Sequence, residues 1–223
     1  MNSSTQSSAS ASGRRTETDG SALADLAVRA WQPAAEFSAL LRDPVYWGWG
    51  VPRGDGHAVL VLPGLLAGDR YLQPLRGWLR RIGYTSVRSG IDRNPGWSED
   101  LVRELGEIAQ RESDRSGKQV TIIGHSMGGI LGRSIAGRRP GIVRHVITLG
   151  SPLGMSRSRL PVSVRLTAMY SRDDQIVRYP GALARDPNAQ NIEVHGSHTG
   201  LAGNAEVYRQ IARLLPPKPN GFV

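Results

Sequence analysis

The chain of 223 residues contains no cysteine. Disulfide bonds, thiolate metal sites and a cysteine nucleophile are therefore excluded, and the composition suits a reducing compartment such as the cytoplasm. No apolar run approaches the roughly 18 residues that a membrane-spanning helix needs, which argues against an integral membrane protein. The first residues are rich in serine and have no apolar centre, so a secretory signal peptide is not expected.

Lysine is also scarce: of the 28 basic residues only Lys118 and Lys218 are lysine, and the formal net charge is +9. Acidic residues are missing between Asp114 and Asp173, a stretch that holds ten Lys or Arg. A solvated basic face is one interpretation of this pattern. The alternative is a positive potential that attracts anionic partners and gives weak association with an anionic membrane surface. No clustered basic helix, zinc spacing or RNA-binding aromatic motif is present, so nucleic acid is not expected as a partner.

Composition divides the chain into four parts. Residues 1–20 are a Ser/Thr tract of low complexity, which predicts a disordered tail. Residues 21–50 carry apolar side chains at helical spacing on both sides of Pro33, which predicts one helix broken near that proline, and then an aromatic–glycine segment. Residues 51–215 are the predicted folded domain, and the proline-rich residues 216–223 form a tail that closes it. Nothing in the sequence indicates an oligomeric state.

Short apolar runs alternate with helical stretches from residue 57 onward. Continuous runs of valine, isoleucine and leucine are typical of parallel strands that are buried on both faces. Their alternation with helices predicts an α/β fold: a doubly wound, mostly parallel sheet of about six strands with helices on both faces. In such sheets the functional residues lie beyond the carboxyl ends of the strands. The predicted strands are His57–Leu62, Thr85–Arg88, Gln119–Ile123, Val143–Leu149, Val164–Tyr170 and Asn191–His195, and the predicted helices are Tyr71–Ile82, Ser98–Glu112, Gly128–Ala136 and Ala205–Leu215.

A Gly-x-Ser-x-Gly motif, from Gly124 to Gly128, follows a predicted strand and precedes a predicted helix. The pentapeptide alone is a weak signal, but in this strand–turn–helix setting it predicts a nucleophile elbow. The turn is so tight that the positions two before and two after the serine come into contact, and a side chain at either glycine would collide. The strained main chain then projects Ser126 Oγ at the positive end of the helix, which makes Ser126 the candidate nucleophile.

A serine hydroxyl needs a base and an orienting carboxylate to act as a nucleophile at neutral pH. His198 lies in the loop just past the last predicted strand, where a general base could reach Ser126. His195 is predicted to lie within that strand and to be structural. The preceding strand ends just before Asp173 and Asp174, and either aspartate could hold the imidazole in the required tautomer.

Three motifs then carry a resemblance to a known family. They are Gly-His-Ser-Met-Gly-Gly at residues 124–129, Gly-Ser-Pro-Leu-Gly at 150–154 and Gly-Ser-His-Thr-Gly-Leu at 196–201. Together with the chain order Ser…Asp…His, they resemble α/β-hydrolases of the lipase/esterase type over about residues 57–215. The resemblance implies an enzyme that hydrolyses carboxylic esters through a Ser-His-Asp triad and an acyl-enzyme intermediate.

The resemblance also assigns the acid and the oxyanion hole. In such proteins the acid precedes a residue–aliphatic–Val step, which favours Asp174 over Asp173 as the third triad member. One oxyanion donor is expected at the residue after the nucleophile, the backbone N–H of Met127. The other is expected in the loop after the first strand, where Pro63-Gly64 stands in place of the common His-Gly and Leu65 offers the second N–H.

The pocket itself is less well defined by the sequence. Only Met155–Pro161 separate the loop at residue 154 from the strand that carries the acid, which is too short for a cap domain. The site is therefore expected to be open unless residues 21–50 cover it. Side chains that could shape an acyl pocket are Leu153, Met155, Trp47 and Trp49.

Other functions remain open at this point. The same fold serves non-catalytic binding proteins, and the same triad serves thioesterases, phospholipases, amidases and acyl transferases. The sequence has no His/Asp cluster that demands a metal and no dinucleotide-binding fingerprint, so no cofactor and no metal are expected. The expected partner is a small ester or lipid substrate.

Overall fold

The computed structural model describes residues 31–155 and 160–216, and within them six parallel strands form one sheet in the order β2-β1-β3-β4-β5-β6. The strands are β1 (Ala58–Leu62), β2 (Thr85–Arg88), β3 (Val120–His125), β4 (Val143–Leu149), β5 (Arg165–Tyr170) and β6 (Ala189–Glu193). The α-helices are α1 (residues 31–42), α2 (Gln73–Arg81), α3 (Glu99–Ser116), α4 (Met127–Arg138) and α5 (Ala205–Leu214). Short 3₁₀ helices span Pro44–Trp47, Leu153–Met155 and Gly200–Gly203.

The central strands are buried on both faces, which explains why they are nearly uninterrupted apolar runs, whereas the edge strands β2 and β6 are partly exposed. Alternate residues of β1 belong to two separate apolar clusters, because successive side chains of a strand point to opposite faces. Leu40, Trp78 and Tyr208, from α1, α2 and α5, are fully buried in one cluster. Val102 and Leu131, from α3 and α4, are buried in the other. The predicted doubly wound α/β fold is thus confirmed.

The amino-terminal segment packs into the same core as the rest of the described chain. In the described residues Pro33 lies in the first turn of α1, where a proline leaves no helical hydrogen bond unmade, and the predicted break on its amino-terminal side falls on residues outside the described part of the chain. Leu40 on this helix and Val45 just after it are buried in the apolar cluster beside α2 and α5. The predicted tails, residues 1–20 and 217–223, lie outside the described residues, as do residues 21–30.

The last strand is displaced from its predicted position. The strand was predicted at Asn191–His195 but spans Ala189–Glu193. The prediction that His195 lies within it is therefore wrong, because His195 lies beyond its end. The N–H of His195 donates to Glu206 Oε2 at 3.0 Å, which takes the main chain away from the sheet. His195 Nδ1 also contacts this carboxylate, at 3.3 Å, and the histidine side chain is exposed.

The parallel arrangement collects the candidate residues at one edge. Ser126, Asp174 and His198 follow β3, β5 and β6, and the carboxyl ends of these strands all point to the same side of the sheet. Within the described residues, no helix combines the length and the apolar character needed to cross a bilayer.

Candidate active site

The main chain turns sharply at Ser126, which has φ 51° and ψ −121°. A Cβ atom at Gly124 would overlap the main chain of Gly128, and a Cβ atom at Gly128 would overlap the carbonyl group of Leu62. The predicted close contact around the serine is therefore present, and only glycine fits at both positions. The Ser126 N–H donates to the Leu149 carbonyl at 2.9 Å, which fixes this strained turn.

A buried carboxylate–imidazole pair lies beside the turn. His198 Nδ1 donates to Asp174 Oδ2 at 2.7 Å, and the two residues are 7% and 2% exposed. The other carboxylate oxygen, Asp174 Oδ1, accepts from the N–H groups of Ile176 at 2.9 Å and Val177 at 2.8 Å. Asp173 is exposed, so the structure places Asp174 and not its neighbour against the imidazole. With Nδ1 protonated towards Asp174, Nε2 of a neutral His198 is free to accept a proton.

Ser126 and His198 line one cavity of about 510 Å³. Among the described residues no hydrogen bond joins Ser126 Oγ to the imidazole; such contacts commonly shorten when substrate binds. Most of the other side chains that line the cavity are apolar, and they include Leu65, Ala67, Tyr71, Pro152, Ile176 and Val177.

The two residues expected to supply the oxyanion donors lie at this cavity. Leu65 and Met127 both line it, and within the described residues neither N–H has an acceptor. Met127 is the first residue of α4, where an N–H has no partner inside the helix. The buried Asn94 holds the loop that carries Leu65. Its side-chain Nδ2 donates to the Pro63 carbonyl at 2.7 Å, and its main-chain carbonyl accepts from Leu66 N–H at 2.8 Å.

Gly150 packs directly against the acid and the base. Its φ is +56°, and a Cβ atom there would lie 2.8 Å from Asp174 Oδ2 and 3.3 Å from His198 Nδ1. Any side chain at this position would therefore press on both members of the pair.

Two further side chains contact the loop of His198, and the sequence analysis did not identify either of them. His125 Nε2 donates to the main-chain carbonyl of His198 at 2.8 Å, and the Tyr71 hydroxyl donates to that of Thr199 at 2.5 Å. Burial lowers the pKa of His125 to about 4, although its hydrogen bond to the His198 carbonyl opposes that shift. Its position within the elbow motif was the only sequence signal for a role of His125.

Three of the four residues expected to shape an acyl pocket do not line the cavity. Leu153 is buried in the core beneath α3 and α4, and Trp47 and Trp49 are exposed and absent from the cavity lining. Trp49 borders a separate groove next to Arg209. The side chain of Met155 lies outside the described residues.

Comparisons with known proteins agree with this architecture. A family model described as "PGAP1-like alpha/beta domain" matches residues 95–213. A search of curated proteins finds no match. Solved structures that are less than 25% identical to the chain show that it has the fold of the α/β-hydrolases.

A protein of the alpha/beta superfamily from Xanthomonas campestris has a TM-score of 0.56 and 20% identity, and the match covers 72% of this chain and 98% of that one. A lipase-esterase related protein from Clostridium acetobutylicum has a TM-score of 0.58 and 14% identity, with 73% and 96% covered. Lipase B from Aspergillus fumigatus has a TM-score of 0.59 and 15% identity, with 75% and 54% covered.

The buried His125 predicts a loss of stability in acid. Its pKa falls from 6.5 to about 4 on folding, so the unfolded chain binds more protons between these values. The contribution of His125 to the free energy of unfolding is therefore fully present above about pH 6.5. As the pH falls towards 4, the free energy of unfolding decreases by about 3 kcal/mol because of this group. Urea unfolding of the wild type at several pH values, compared with His125→Gln, measures this contribution.

Glutamine keeps a donor for the His198 carbonyl but does not titrate, so the variant should lose less stability between pH 6.5 and 4 than the wild type does. Ser134→Ala, which changes a side chain on α4 that does not titrate, serves as the control and should leave the pH dependence unchanged. Identical pH slopes for wild type and His125→Gln would contradict the prediction.

Proposed function

The chain belongs to the family of PGAP1-like alpha/beta domains, and we propose that it is a serine hydrolase that cleaves carboxylic esters. The observation that carries the proposal is the 2.7 Å contact between His198 Nδ1 and Asp174 Oδ2, buried beside the cavity that His198 shares with Ser126. Solved structures of lipases and esterases with the same fold support it.

In the proposed reaction, Ser126 Oγ attacks the ester carbonyl carbon while His198 Nε2 takes the hydroxyl proton. The carbonyl oxygen becomes an oxyanion that accepts hydrogen bonds from the N–H groups of Leu65 and Met127. The tetrahedral intermediate expels the alcohol, which receives the proton from His198, and the acyl group stays on Ser126. Water then loses a proton to His198 and attacks the acyl-enzyme, so that the carboxylic acid leaves and the serine regains its proton. Asp174 stabilises the imidazolium in both halves.

The cavity favours an apolar acyl group as the part of the substrate that binds next to Ser126. Leu65, Ile176 and Val177 contribute aliphatic surface to a volume of about 510 Å³, within the usual size of small-molecule sites. Oxygen esters are the proposed substrates. Turnover of a panel of thioesters, amides and oxygen esters of increasing acyl length distinguishes an esterase from related acyl hydrolases.

The mouth of the cavity also carries exposed apolar side chains. Leu65, Leu66 and Ile176 are between 51% and 70% exposed. The exposed Arg93 precedes Asn94, which binds Leu66, and the exposed Arg178 lies two positions after Ile176. Apolar side chains next to basic ones are suited to the boundary between anionic headgroups and acyl chains. We therefore extend the proposal to weak docking of this mouth on an anionic lipid surface, which the net charge of +9 favours.

The nucleophile is tested by Ser126→Ala. Loss of Oγ should lower kcat for a short-chain p-nitrophenyl ester by ~10⁴-fold or more and abolish labelling by a fluorophosphonate probe. The double variant Ser126→Ala/His198→Ala should lose no more than either single variant, because the two residues act as a unit. Ser134→Ala, which changes a serine on α4 outside the cavity, is the control and should keep both ester turnover and labelling by the probe. Equal labelling of wild type and Ser126→Ala would sink the proposal and favour a non-catalytic binding protein.

Gly150→Ala tests the acid–base pair without removing either member. The new methyl group would displace Asp174 or His198, so kcat should fall by about 10–100-fold with KM little changed. Gly117→Ala is a matched control: its φ is +64°, close to that of Gly150, but no atom lies within 4 Å of the Cβ position. Both variants carry a similar backbone penalty, and only Gly150→Ala should lose activity. Equal activities would show that the pair tolerates this displacement.

Co-sedimentation with vesicles tests the lipid surface. The wild type should bind vesicles with about 30% anionic lipid more strongly than neutral ones, and the difference should shrink at high salt. Leu66→Asp should weaken binding. Val162→Asp changes a still more exposed apolar residue just before β5, at the opposite end of the sheet, and should have no effect. Equal binding to both vesicle types would leave the basic residues as an ordinary solvated face.

A further inference from the structure

The loop that carries His198 is held mainly by side chains. It links the end of β6 to the 3₁₀ helix at Gly200–Gly203 and contains neither strand nor helix. Three consecutive residues in it each offer one main-chain group to a side chain from a distant part of the chain. Ser197 N–H donates to Glu36 Oε1 at 2.8 Å, the His198 carbonyl accepts from His125 Nε2 at 2.8 Å, and the Thr199 carbonyl accepts from the Tyr71 hydroxyl at 2.5 Å.

Glu36 differs from the other two because it comes from the amino-terminal helix α1. Its carboxylate lies against the loop so closely that a side-chain carbon at Gly200 would overlap Oε2. A Cβ atom at Gly196 would lie 3.0 Å from the same oxygen. Oε2 is buried, and within the described residues it has no hydrogen-bond donor. The carboxylate is thus enclosed on one side by the loop next to the candidate base.

Packing of α1 does not require this carboxylate. Leu40 is fully buried in the core, and Phe37 packs against the same cluster and lies next to Gly203. Glu36 is half-buried, but an unpaired carboxylate oxygen that is itself buried opposes folding, so stability alone does not account for a glutamate at this position.

The start of α1 also lies beside the site. Gln32 and Pro33 border a pocket of about 170 Å³ whose other side is formed by His198 and its neighbours Ser197 and Thr199. The helix therefore reaches the edge of the mouth while its later turns are anchored in the core.

We propose that Glu36 is a positioning residue for His198, through which helix α1 holds the loop of the general base within reach of Ser126. The proposal rests on the proposed function. Glu36 acts on the main chain one residue before His198, while His125 and Tyr71 fix the groups that follow. Loss of the carboxylate frees the Ser197 N–H and lets the imidazole move away from the nucleophile.

The test compares Glu36→Ala with Glu36→Gln. Alanine removes the acceptor, so kcat for a p-nitrophenyl ester should fall by about 10–100-fold while KM changes little, because misplacement of a catalytic group acts on the chemical step. Glutamine retains an oxygen for the Ser197 N–H and should keep most of the activity. A second readout does not depend on catalysis: hydrogen exchange of the Ser197 amide should be at least about tenfold faster in Glu36→Ala than in the wild type.

Val102→Ala serves as the control for a general loss of stability. Val102 is buried in α3, on the other face of the sheet, and contacts neither α1 nor the loop. This variant should lower Tm, yet keep kcat and Ser197 exchange near the wild-type values at a temperature where all variants are folded. An effect of Glu36→Ala on Tm alone, with kcat and Ser197 exchange unchanged, would overturn the proposal.

The two proposals fail in different ways. A wild type that neither turns over esters nor reacts with the fluorophosphonate probe would refute the proposed function. In that case unchanged Ser197 exchange in Glu36→Ala would refute the anchoring role of Glu36 as well, whereas faster exchange would show that α1 holds this loop and would refute only its link to catalysis.

Discussion

A histidine can act as a base only if its imidazole is held in place, and here it is carried by a loop with no regular structure between Glu193 and Gly200. The contact between His198 Nδ1 and Asp174 Oδ2 fixes the ring, but a single side-chain contact leaves the main chain of the loop free to move. The arrangement around the loop follows from this constraint. Gly150 leaves room for the pair, and side chains from three other segments hold the main chain on either side of His198.

The same principle applies on the opposite side of the cavity. Two non-glycine residues, Ser126 at φ 51° and Leu66 at φ 60°, have a backbone conformation that side chains disfavour. Each is next to one proposed oxyanion donor in the sequence: Ser126 precedes Met127, and Leu66 follows Leu65. Such strain persists only where surrounding contacts determine the chain path, and here Leu149 binds Ser126 N–H while Asn94 binds Leu66 N–H. Rigid supports on both sides of the reacting atoms reduce the rearrangement needed when charge develops.

Much of this could be predicted from the sequence, because the signals are local. An apolar strand followed by Gly-x-Ser-x-Gly located Ser126, and the expected loops after β5 and β6 contain Asp174 and His198. Other features depend on contacts between distant positions. Glu36 and Ser197 are 161 positions apart, and a single glutamate in a helical stretch has no spacing that marks it. The error at Trp47 has a similar cause: hydrophobicity indicated a pocket wall, but its ring lies at the surface beside the Arg81 guanidinium, 5.1 Å away.

These long-range contacts divide the site between two parts of the sequence. The three proposed triad residues lie inside the region that the family model matches, residues 95–213, whereas Glu36, Leu65 and Tyr71 lie outside it. The matched region thus supplies the candidate nucleophile, acid and base, and the preceding residues supply one proposed oxyanion donor and two side chains that bind the loop of His198. Residues 95–213 alone also lack β1, which pairs with β3 next to Ser126, so they would retain the reactive groups but not the positions in which they can act.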